Sequence, residues 1–166
     1  MNILKIIKFI GEKNPKYEMD NLKLPIRPVK GKGYMDDNGL KQGEWEGYYD
    51  NGELESKGNY KDDKKVGYWE HYYNGNGELS SKGNYKNDVK DGYWEEYYKN
   101  GKLRSKGNYK NDVKDGYWEG YYRNGKLEYK GNYKDGFKDG YWEGYYSNGQ
   151  VLLLYKENYM DGIKID

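Results

Sequence analysis

The chain has 166 residues and a formal net charge of +1, and it contains no cysteine and a single histidine, His71. These features exclude disulfide bonds, thiolate metal sites and histidine clusters, and no apolar run approaches the ~18 residues of a membrane-spanning helix. Leu, Ile, Val and Phe make up about 15% of the residues, whereas the chain has 23 Tyr and 5 Trp. Because the length fits one domain and the net charge is near zero, we expect a folded protein with an aromatic core.

Residues 1–30 differ from the rest of the chain and are predicted to form a short helix followed by an extended linker. Isoleucines recur at helical spacing in residues 2–10, and Gly11 is expected to end the helix. All three prolines lie in the linker, which favours an extended chain along a surface. Lysines interrupt the apolar run and no small-residue cleavage site follows, so we expect no signal peptide and a cytoplasmic location. Docking of the helix on the repeats is favoured, and contact with a lipid surface or a partner stays open.

Residues 31–166 are predicted to form a repeat domain of five units and a truncated sixth. Tryptophan recurs at intervals of 24, 25, 24 and 24 residues, at Trp45, Trp69, Trp94, Trp118 and Trp142. The truncated copy spans residues 156–166 and contains no tryptophan. A fixed period of this length indicates a repeat architecture in which neighbouring units bury one another's surfaces.

Each unit contains an Asn-Gly pair between two aromatic-rich runs, which predicts a β-hairpin with a two-residue turn. A turn at Asn124-Gly125 places Tyr122 opposite Leu127, Glu119 opposite Lys130, and Trp118 opposite Gly131. The indole is then expected to lie over a glycine, where no side chain competes for space. The glycines predicted to have this structural role are Gly58, Gly83, Gly107 and Gly131.

A second turn in each unit joins the hairpins into an antiparallel meander. A two-residue turn at Asp135-Gly136 pairs Gly131 with Gly140 and Tyr129 with Trp142. The predicted fold is therefore all-β, an elongated single-layer sheet with a short N-terminal helix. Its Trp/Tyr face covers on the order of 1,000 Å², more than a monomer usually exposes. We expect curling of the sheet, the residues of 1–30, or a second copy in a homodimer to cover it.

The opposite, polar face carries rows of tyrosines, which are the candidate partner-binding residues. The first row is Tyr48, Tyr72, Tyr97, Tyr121 and Tyr145, and a second row is Tyr68, Tyr93, Tyr117 and Tyr141. Cross-strand packing of half-exposed tyrosines explains such rows, and a recognition surface for a protein or a glycan is the alternative. Which face binds a partner is open.

No catalytic, cofactor-binding or metal-binding residue is expected, and the protein is predicted not to be an enzyme. Glu119 and its counterparts recur in every unit, whereas a catalytic site occurs once, so they are expected to pair with lysines. His71 is expected to be a surface or edge residue. Residues 31–166 carry 22 basic and 25 acidic residues, which is unfavourable for nucleic-acid binding. Membrane binding is also not expected, because the lysines suited to it are confined to residues 1–30.

The repeated motif G-Y-W-E-x-Y-Y-x-N-G-x-L-x-x-K-G-N-Y-K-x-D-x-x-D-G resembles MORN-repeat proteins over residues 31–166. The likeness is greatest to a variant family sometimes labelled as antitoxins of toxin–antitoxin pairs. This resemblance implies a twisted antiparallel sheet that serves as a scaffold or binding surface for a protein partner, without catalysis. A more distant resemblance to the aromatic repeats of bacterial cell-wall-binding modules goes with the alternative of glycan or cell-surface binding.

Overall fold

The computed structural model describes residues 29–30, 33–148 and 153–165, and all regular secondary structure in these residues is β-strand. The strands are β1 (Val29–Lys30), β2 (Tyr34–Met35), β3 (Lys41–Tyr48), β4 (Leu54–Lys61), β5 (Lys64–Tyr72), β6 (Leu79–Lys86), β7 (Val89–Tyr97), β8 (Leu103–Lys110), β9 (Val113–Tyr121), β10 (Leu127–Lys134), β11 (Phe137–Tyr145), β12 (Leu153–Met160) and β13 (Ile163–Lys164). The predicted helix at residues 2–10 lies outside the described residues.

The strands form one open antiparallel sheet in which neighbours in sequence are neighbours in space from β3 to β13. Both β1 and β2 pair with β3, so the end of the predicted linker joins the sheet as extended chain. The predicted all-β meander is therefore confirmed. Each unit contributes two strands and two turns, and the two kinds of turn depart from the predicted geometry in different ways.

The described Asn-Gly turns have three loop residues rather than the predicted two, except the turn at residues 74–77, which has four. The amide N–H of Tyr122 donates to the carbonyl of Lys126 at 2.8 Å, and Gly125 takes a φ of +90°. Leu127 therefore pairs with Tyr121, and the predicted pair of Tyr122 and Leu127 is wrong. Only the glycine of the pair needs the left-handed region in this loop, which matches a three-residue hairpin connection. A one-residue bulge at Glu128 then restores the predicted register of Trp118 with Gly131.

The second turns do have two residues, both with positive φ, as at Asp135 (φ 50°) and Gly136 (φ 85°). Beyond them the predicted register is wrong, because Tyr129 pairs with Gly144 instead of Trp142. The cause is a bulge of two extra residues in the strand that follows each second turn. In β9 the extra residues are Gly116, with a φ of +77°, and Tyr117. Glycine adopts this conformation without the steric cost of a Cβ atom, which allows the bulge to form.

The bulges place a tryptophan on each side of every repeat glycine. Gly107, for example, pairs with Trp94 on β7 and with Trp118 on β9. The indole covers only the glycine of the preceding strand, so Trp118 lies on Gly107 and Trp45 on Gly33. The expectation that Trp118 covers Gly131 is wrong in this respect, although the two residues are paired. The same arrangement joins Trp69 to Gly58, Trp94 to Gly83 and Trp142 to Gly131.

The indoles of Trp69, Trp94, Trp118 and Trp142 are at most 1% exposed and form the core of the sheet. Each contacts the bare backbone of a glycine, the edge of a tyrosine ring and the ammonium of a lysine. These indoles are buried within the single chain. Cover of the Trp/Tyr face by curling of the sheet, by residues 1–30 or by a second copy in a homodimer stays a prediction.

Candidate binding surface

The sheet has two chemically different sides, here called the Trp side and the Glu side. The Trp side carries Trp118 and its counterparts, and the Glu side carries Glu119 and its counterparts. The geometry of one unit, from β8 to β10, describes both sides, since the other units repeat it with small changes.

On the Trp side, the contacts of Trp118 are made within the sheet. The indole N–H donates to the carbonyl of Asn108 at 2.9 Å, next to the bulge that interrupts the strand pairing. The ring of Tyr109 meets the indole edge-on at 5.0 Å, a favourable geometry for an aromatic pair. The ammonium of Lys114 lies 4.1 Å from the indole centroid, a cation–π contact. These contacts give the predicted structural tryptophans a packing role.

His71 lies on the Trp side between two indoles, so its predicted surface or edge position is wrong. Its ring is nearly parallel to those of Trp69 and Trp94, at centroid distances of 6.0 and 6.4 Å. Burial, together with the nearby ammonium groups of Lys65 and Lys90, lowers the pKa of His71 to about 4. The imidazole is therefore neutral at pH 7. His71 follows Trp69 by two residues, and residues two apart in a strand lie on the same side of a sheet. This spacing was the sequence signal for its position on the Trp side.

On the Glu side, the carboxylate of Glu119 is held by three groups. The hydroxyl of Tyr121 donates to one oxygen, Lys106 Nζ lies 2.8 Å from the same oxygen, and the Tyr117 hydroxyl lies 3.3 Å from the other. Burial raises the pKa of Glu119, but the hydrogen bonds from Lys106 and Tyr121 outweigh burial and lower it. Glu119 is therefore a fixed anion, with no free proton to exchange near neutral pH.

The ion pairs join each glutamate to the lysine of the preceding strand, whereas pairing with the following strand was predicted. Glu119 pairs with Lys106 rather than with Lys130, whose ammonium lies 2.8 Å from Glu143. The ammonium of Lys106 also lies 5.7 Å from the ring centroid of Tyr121, and this contact accounts for the direction in which the lysine side chain extends. The same pairing joins Lys57 to Glu70 and Lys82 to Glu95.

The two tyrosine rows of the Glu side differ in exposure. The first row is half-buried, and its hydroxyl groups donate to the glutamates two positions earlier; it comprises Tyr48, Tyr72, Tyr97, Tyr121 and Tyr145. The second row comprises Tyr68, Tyr93, Tyr117 and Tyr141, which are 47 to 68% exposed. These residues occupy the two-residue bulges, as Tyr117 does in β9. The glycine before each of them was the sequence signal for this difference.

A third set of tyrosines links successive units through the backbone. The hydroxyl of Tyr98 donates to the carbonyl of Tyr121 at 2.7 Å, and that of Tyr122 donates to the carbonyl of Tyr145 at 2.8 Å. Tyr49 and Tyr73 make the same bond to the carbonyls of Tyr72 and Tyr97. These bonds hold the first-row tyrosines in place. This role was not predicted from the sequence, because a bond between residues 23 or 24 apart leaves no local pattern.

Neither a metal cluster nor a membrane-spanning segment is found in the described part of the chain. No group of three or more His, Asp or Glu side chains there is arranged to hold a metal ion. The same residues contain no helix that is long and apolar enough to cross a membrane.

Comparison with known proteins identifies the repeat. The sequence model described as "MORN repeat variant" matches residues 41–62, 90–111, 114–135 and 138–160, which together are more than half of the chain. A search of curated proteins found no match. Each matched segment contains one tryptophan and one Asn-Gly pair, and three of them also contain the glycine that pairs with that tryptophan on the next strand, so the sequence similarity coincides with the structural unit. The chain therefore belongs to the MORN repeat variant family.

Proposed function

We propose that this chain is a non-enzymatic scaffold that binds a protein partner through the Glu side of its sheet. MORN repeats are consistent with a scaffold or binding role. The observation that carries the proposal is the exposed row of Tyr68, Tyr93, Tyr117 and Tyr141, one per unit. Successive tyrosines of this row are two strands apart, or about 10 Å. Together they offer a regular, rigid contact surface.

The order of the Glu side supports this role. Tyr117 has its hydroxyl 3.3 Å from Glu119, and Glu119 is itself held by Lys106 and Tyr121. Side chains that are ordered before binding lose less conformational entropy when a partner docks. Tyrosine also combines a large apolar ring with a polar tip, which is the combination enriched at protein interfaces.

The charges of the Glu side favour a protein over a nucleic acid as the partner. The lysines beside the glutamates of this side are each paired with one of them, so these lysines do not form a free basic stripe of the kind that phosphate backbones require. The paired lysines are Lys57, Lys82, Lys106 and Lys130. The glutamates repeat in equivalent positions, which supports a structural role and the absence of catalysis.

The experiment compares what the wild-type chain and a Tyr93→Ala/Tyr117→Ala variant bind in native cell extract. Quantitative mass spectrometry of the bound fractions is expected to show at least one protein that is lost from the double variant. The matched control is Phe137→Ala, which removes a 60% exposed aromatic ring next to a second turn. Identical bound proteins for the wild type and the double variant would refute the proposal.

Glycan binding is a second candidate, supported by the even spacing of the exposed phenol rings along the sheet. A linear glycan with a regular repeat could place a sugar face on each ring. Tyrosine and tryptophan fluorescence during titration with cell-wall and capsular glycans tests this role. A response that is lost in Tyr93→Ala/Tyr117→Ala would support it, and the absence of a response across the panel would exclude it.

An antitoxin is one form of the proposed protein-binding role, and it requires that the partner be a toxin. Co-expression of the chain with a captured partner that slows growth tests this form: restored growth supports it, and unchanged toxicity excludes it. A second copy of the chain is another protein partner, tested by light scattering after size-exclusion chromatography. We place both interactions in the cytoplasm, in line with the location expected from the sequence.

A further inference from the structure

The Trp side contains a row of positions where the units differ from one another. Each position lies two residues after a tryptophan, between that indole and the next one along the sheet. We call the four described positions slots 1 to 4, and their residues are Gly47, His71, Glu96 and Gly120. A residue on the following strand faces each slot; these residues are Ser56, Ser81, Ser105 and Tyr129.

Slots 2 to 4 are filled by side chains of the protein. In slot 2, His71 stacks between Trp69 and Trp94. In slot 3, the carboxylate of Glu96 is bound by Arg104 at 2.6 Å and by the Ser105 hydroxyl at 2.9 Å.

Slot 4 is filled from the facing strand. A Cβ atom built on Gly120 would lie 2.2 Å from the ring of Tyr129, which therefore occupies the space above this glycine. The Tyr129 ring also packs against Trp142, with 5.7 Å between the ring centroids.

Slot 1 contains a cavity of about 60 Å³ at the corresponding position. Its two row residues, Gly47 and Ser56, are both too small to fill the space. The walls are the side chains of Trp45, Trp69, Tyr60, Lys41 and Ser56, with the backbone of Glu46 and Gly47. The volume exceeds the 10–15 Å³ or so that one water molecule needs, so the slot has room for a small group.

The walls of slot 1 correspond one for one to those of slot 2. Two indoles, one tyrosine, one lysine and one serine surround each slot, and they are Trp69, Trp94, Tyr85, Lys65 and Ser81 in slot 2. Two positions differ. Slot 2 has His71 where slot 1 has Gly47, and it has Ser80 where slot 1 has Glu55, whose carboxylate oxygen would lie 3.8 Å from a Cβ atom on Gly47. Slot 1 therefore has the aromatic walls of slot 2 without the imidazole ring, and a carboxylate lies beside it.

We propose that slot 1 binds the neutral imidazole ring of a histidine side chain from a partner protein. This assignment rests on the proposed role as a protein-binding scaffold, and it places a specificity contact on the side opposite the exposed tyrosines. In slot 2 the Tyr85 hydroxyl lies 3.3 Å from Nε2 of His71, and Tyr60 is the corresponding group in slot 1. The ammonium groups of Lys41 and Lys65, in the places of Lys65 and Lys90, outnumber the carboxylate of Glu55 beside slot 1, so an imidazolium cation is disfavoured there.

The test is a titration of the full chain with imidazole, followed by ¹⁵N NMR of the indole N–H groups. At pH 8 we expect saturable shifts of the Trp45 and Trp69 signals, with half-saturation on the order of millimolar for so small a ligand. The Trp118 and Trp142 signals should stay in place. At pH 5 nearly all of the imidazole is protonated, and the apparent affinity should fall by more than about tenfold.

Two variants provide matched controls. Gly47→His should fill slot 1 from within and weaken the imidazole response at least tenfold; the nearest heavy atom to its Cβ would be Ser56 Oγ, at 3.2 Å. His71→Gly should open slot 2 and add a response at Trp94. Trp69 borders both slots, so only Trp45 reports on slot 1 alone. If His71→Gly responds at Trp69 and Trp94 while Trp45 does not respond, slot 1 is closed and the proposal is overturned. Equal responses of wild type and Gly47→His overturn it as well.

A final arm separates a protein side chain from a free ring. N-acetylhistidine amide should shift the same two indole signals, and N-acetylalanine amide should not. Binding of imidazole without binding of the histidine derivative would overturn the assignment to a partner's histidine. None of these titrations contains a partner protein. Their outcome therefore does not depend on whether the exposed tyrosines capture a partner, and the failure of one proposal can be told from the failure of the other.

Discussion

Trp118 lies flat against Gly107 on the preceding strand, so closely that a Cβ atom on the glycine would be 2.3 Å from the indole Cδ2. The contact explains how a single sheet with few aliphatic residues has a buried core. The glycine contributes only backbone, which lets the ring approach the sheet, and the ring in turn covers that backbone. The same contact recurs between successive units. It requires a residue whose side chain is a single hydrogen atom, so substitution of the glycine tests it.

Gly107→Ala should destabilise the protein by about 1–3 kcal/mol, the usual range for overpacking, because the methyl group cannot coexist with the indole of Trp118. Urea unfolding gives the measurement, as a lower midpoint with an unchanged slope. Gly47→Ala is the control: its methyl group meets only the ends of two side chains, Ser56 Oγ at 3.2 Å and Glu55 Oε2 at 3.8 Å, and should cost much less. Equal losses of stability for the two variants would show that the contact with the indole is not the reason for a glycine at position 107.

Trp118→Ala should cost about 3–5 kcal/mol, because it removes a fully buried aromatic ring and leaves a cavity. Tyr121→Ala should cost less, since this side chain is half-buried on the Glu side. Chemical denaturation of both variants measures the difference in the free energy of unfolding. Similar losses would contradict the assignment of the core to the Trp side.

Tyr98→Phe should lower the free energy of unfolding by about 0.5–1.5 kcal/mol. The change removes the hydroxyl that donates to the carbonyl of Tyr121 at 2.7 Å and keeps the ring. Tyr117→Phe is matched, because it removes a hydroxyl from an exposed tyrosine whose contact with Glu119 is 3.3 Å long. We expect thermal unfolding to separate the two, and a loss confined to Tyr117→Phe would refute the role of the Tyr98 bond.

Stability should fall as the pH drops from about 6.5 to about 4, through the titration of His71. The pKa of His71 is lowered to about 4 in the native state, so in this window the unfolded chain binds a proton that the native chain does not. The free energy of unfolding therefore decreases with falling pH and levels off below pH 4 for this residue. Urea unfolding of wild type and His71→Gln at pH 7.5 and 4.5 isolates the effect. Parallel pH dependences would mean that His71 titrates normally.

Much of the fold could be predicted from residues close together in sequence. The Asn-Gly turns and the alternation of side chains placed Trp118 opposite Gly131 and separated the Trp side from the Glu side. The two-residue bulges were not predicted, because Gly116 also fits a regular strand, and only its φ of +77° distinguishes the two cases. Those bulges shift the following strand, which is why the predicted pair of Tyr129 and Trp142 is wrong.

The candidate surface was predicted in part for the same reason. Alternation placed Tyr117 and Tyr121 on one side, but exposure depends on the bulge that lifts Tyr117 out of the ladder. The direction of the Lys106 ion pair depends on where the ring of Tyr121 lies, which is a matter of packing. His71 was assigned to the surface because other units have Gly or Glu at its position. Its neighbours Trp69 and Trp94 are 25 residues apart in sequence, and only the sheet brings both to its ring.

The stacking of each indole on the glycine of the unit before it gives the sheet a head-to-tail polarity. Excising or duplicating one whole period of 24 residues, such as the interval from Trp94 to Trp118, would leave every remaining ring with a glycine beneath it. At Glu157 that rule changes, because the side chain occupies the place of the glycine and is bound by Lys164 and Tyr159. The number of internal units can thus vary without changes at their junctions. A further unit added after Glu157 would first require a glycine in place of this residue, so that an indole could pack there.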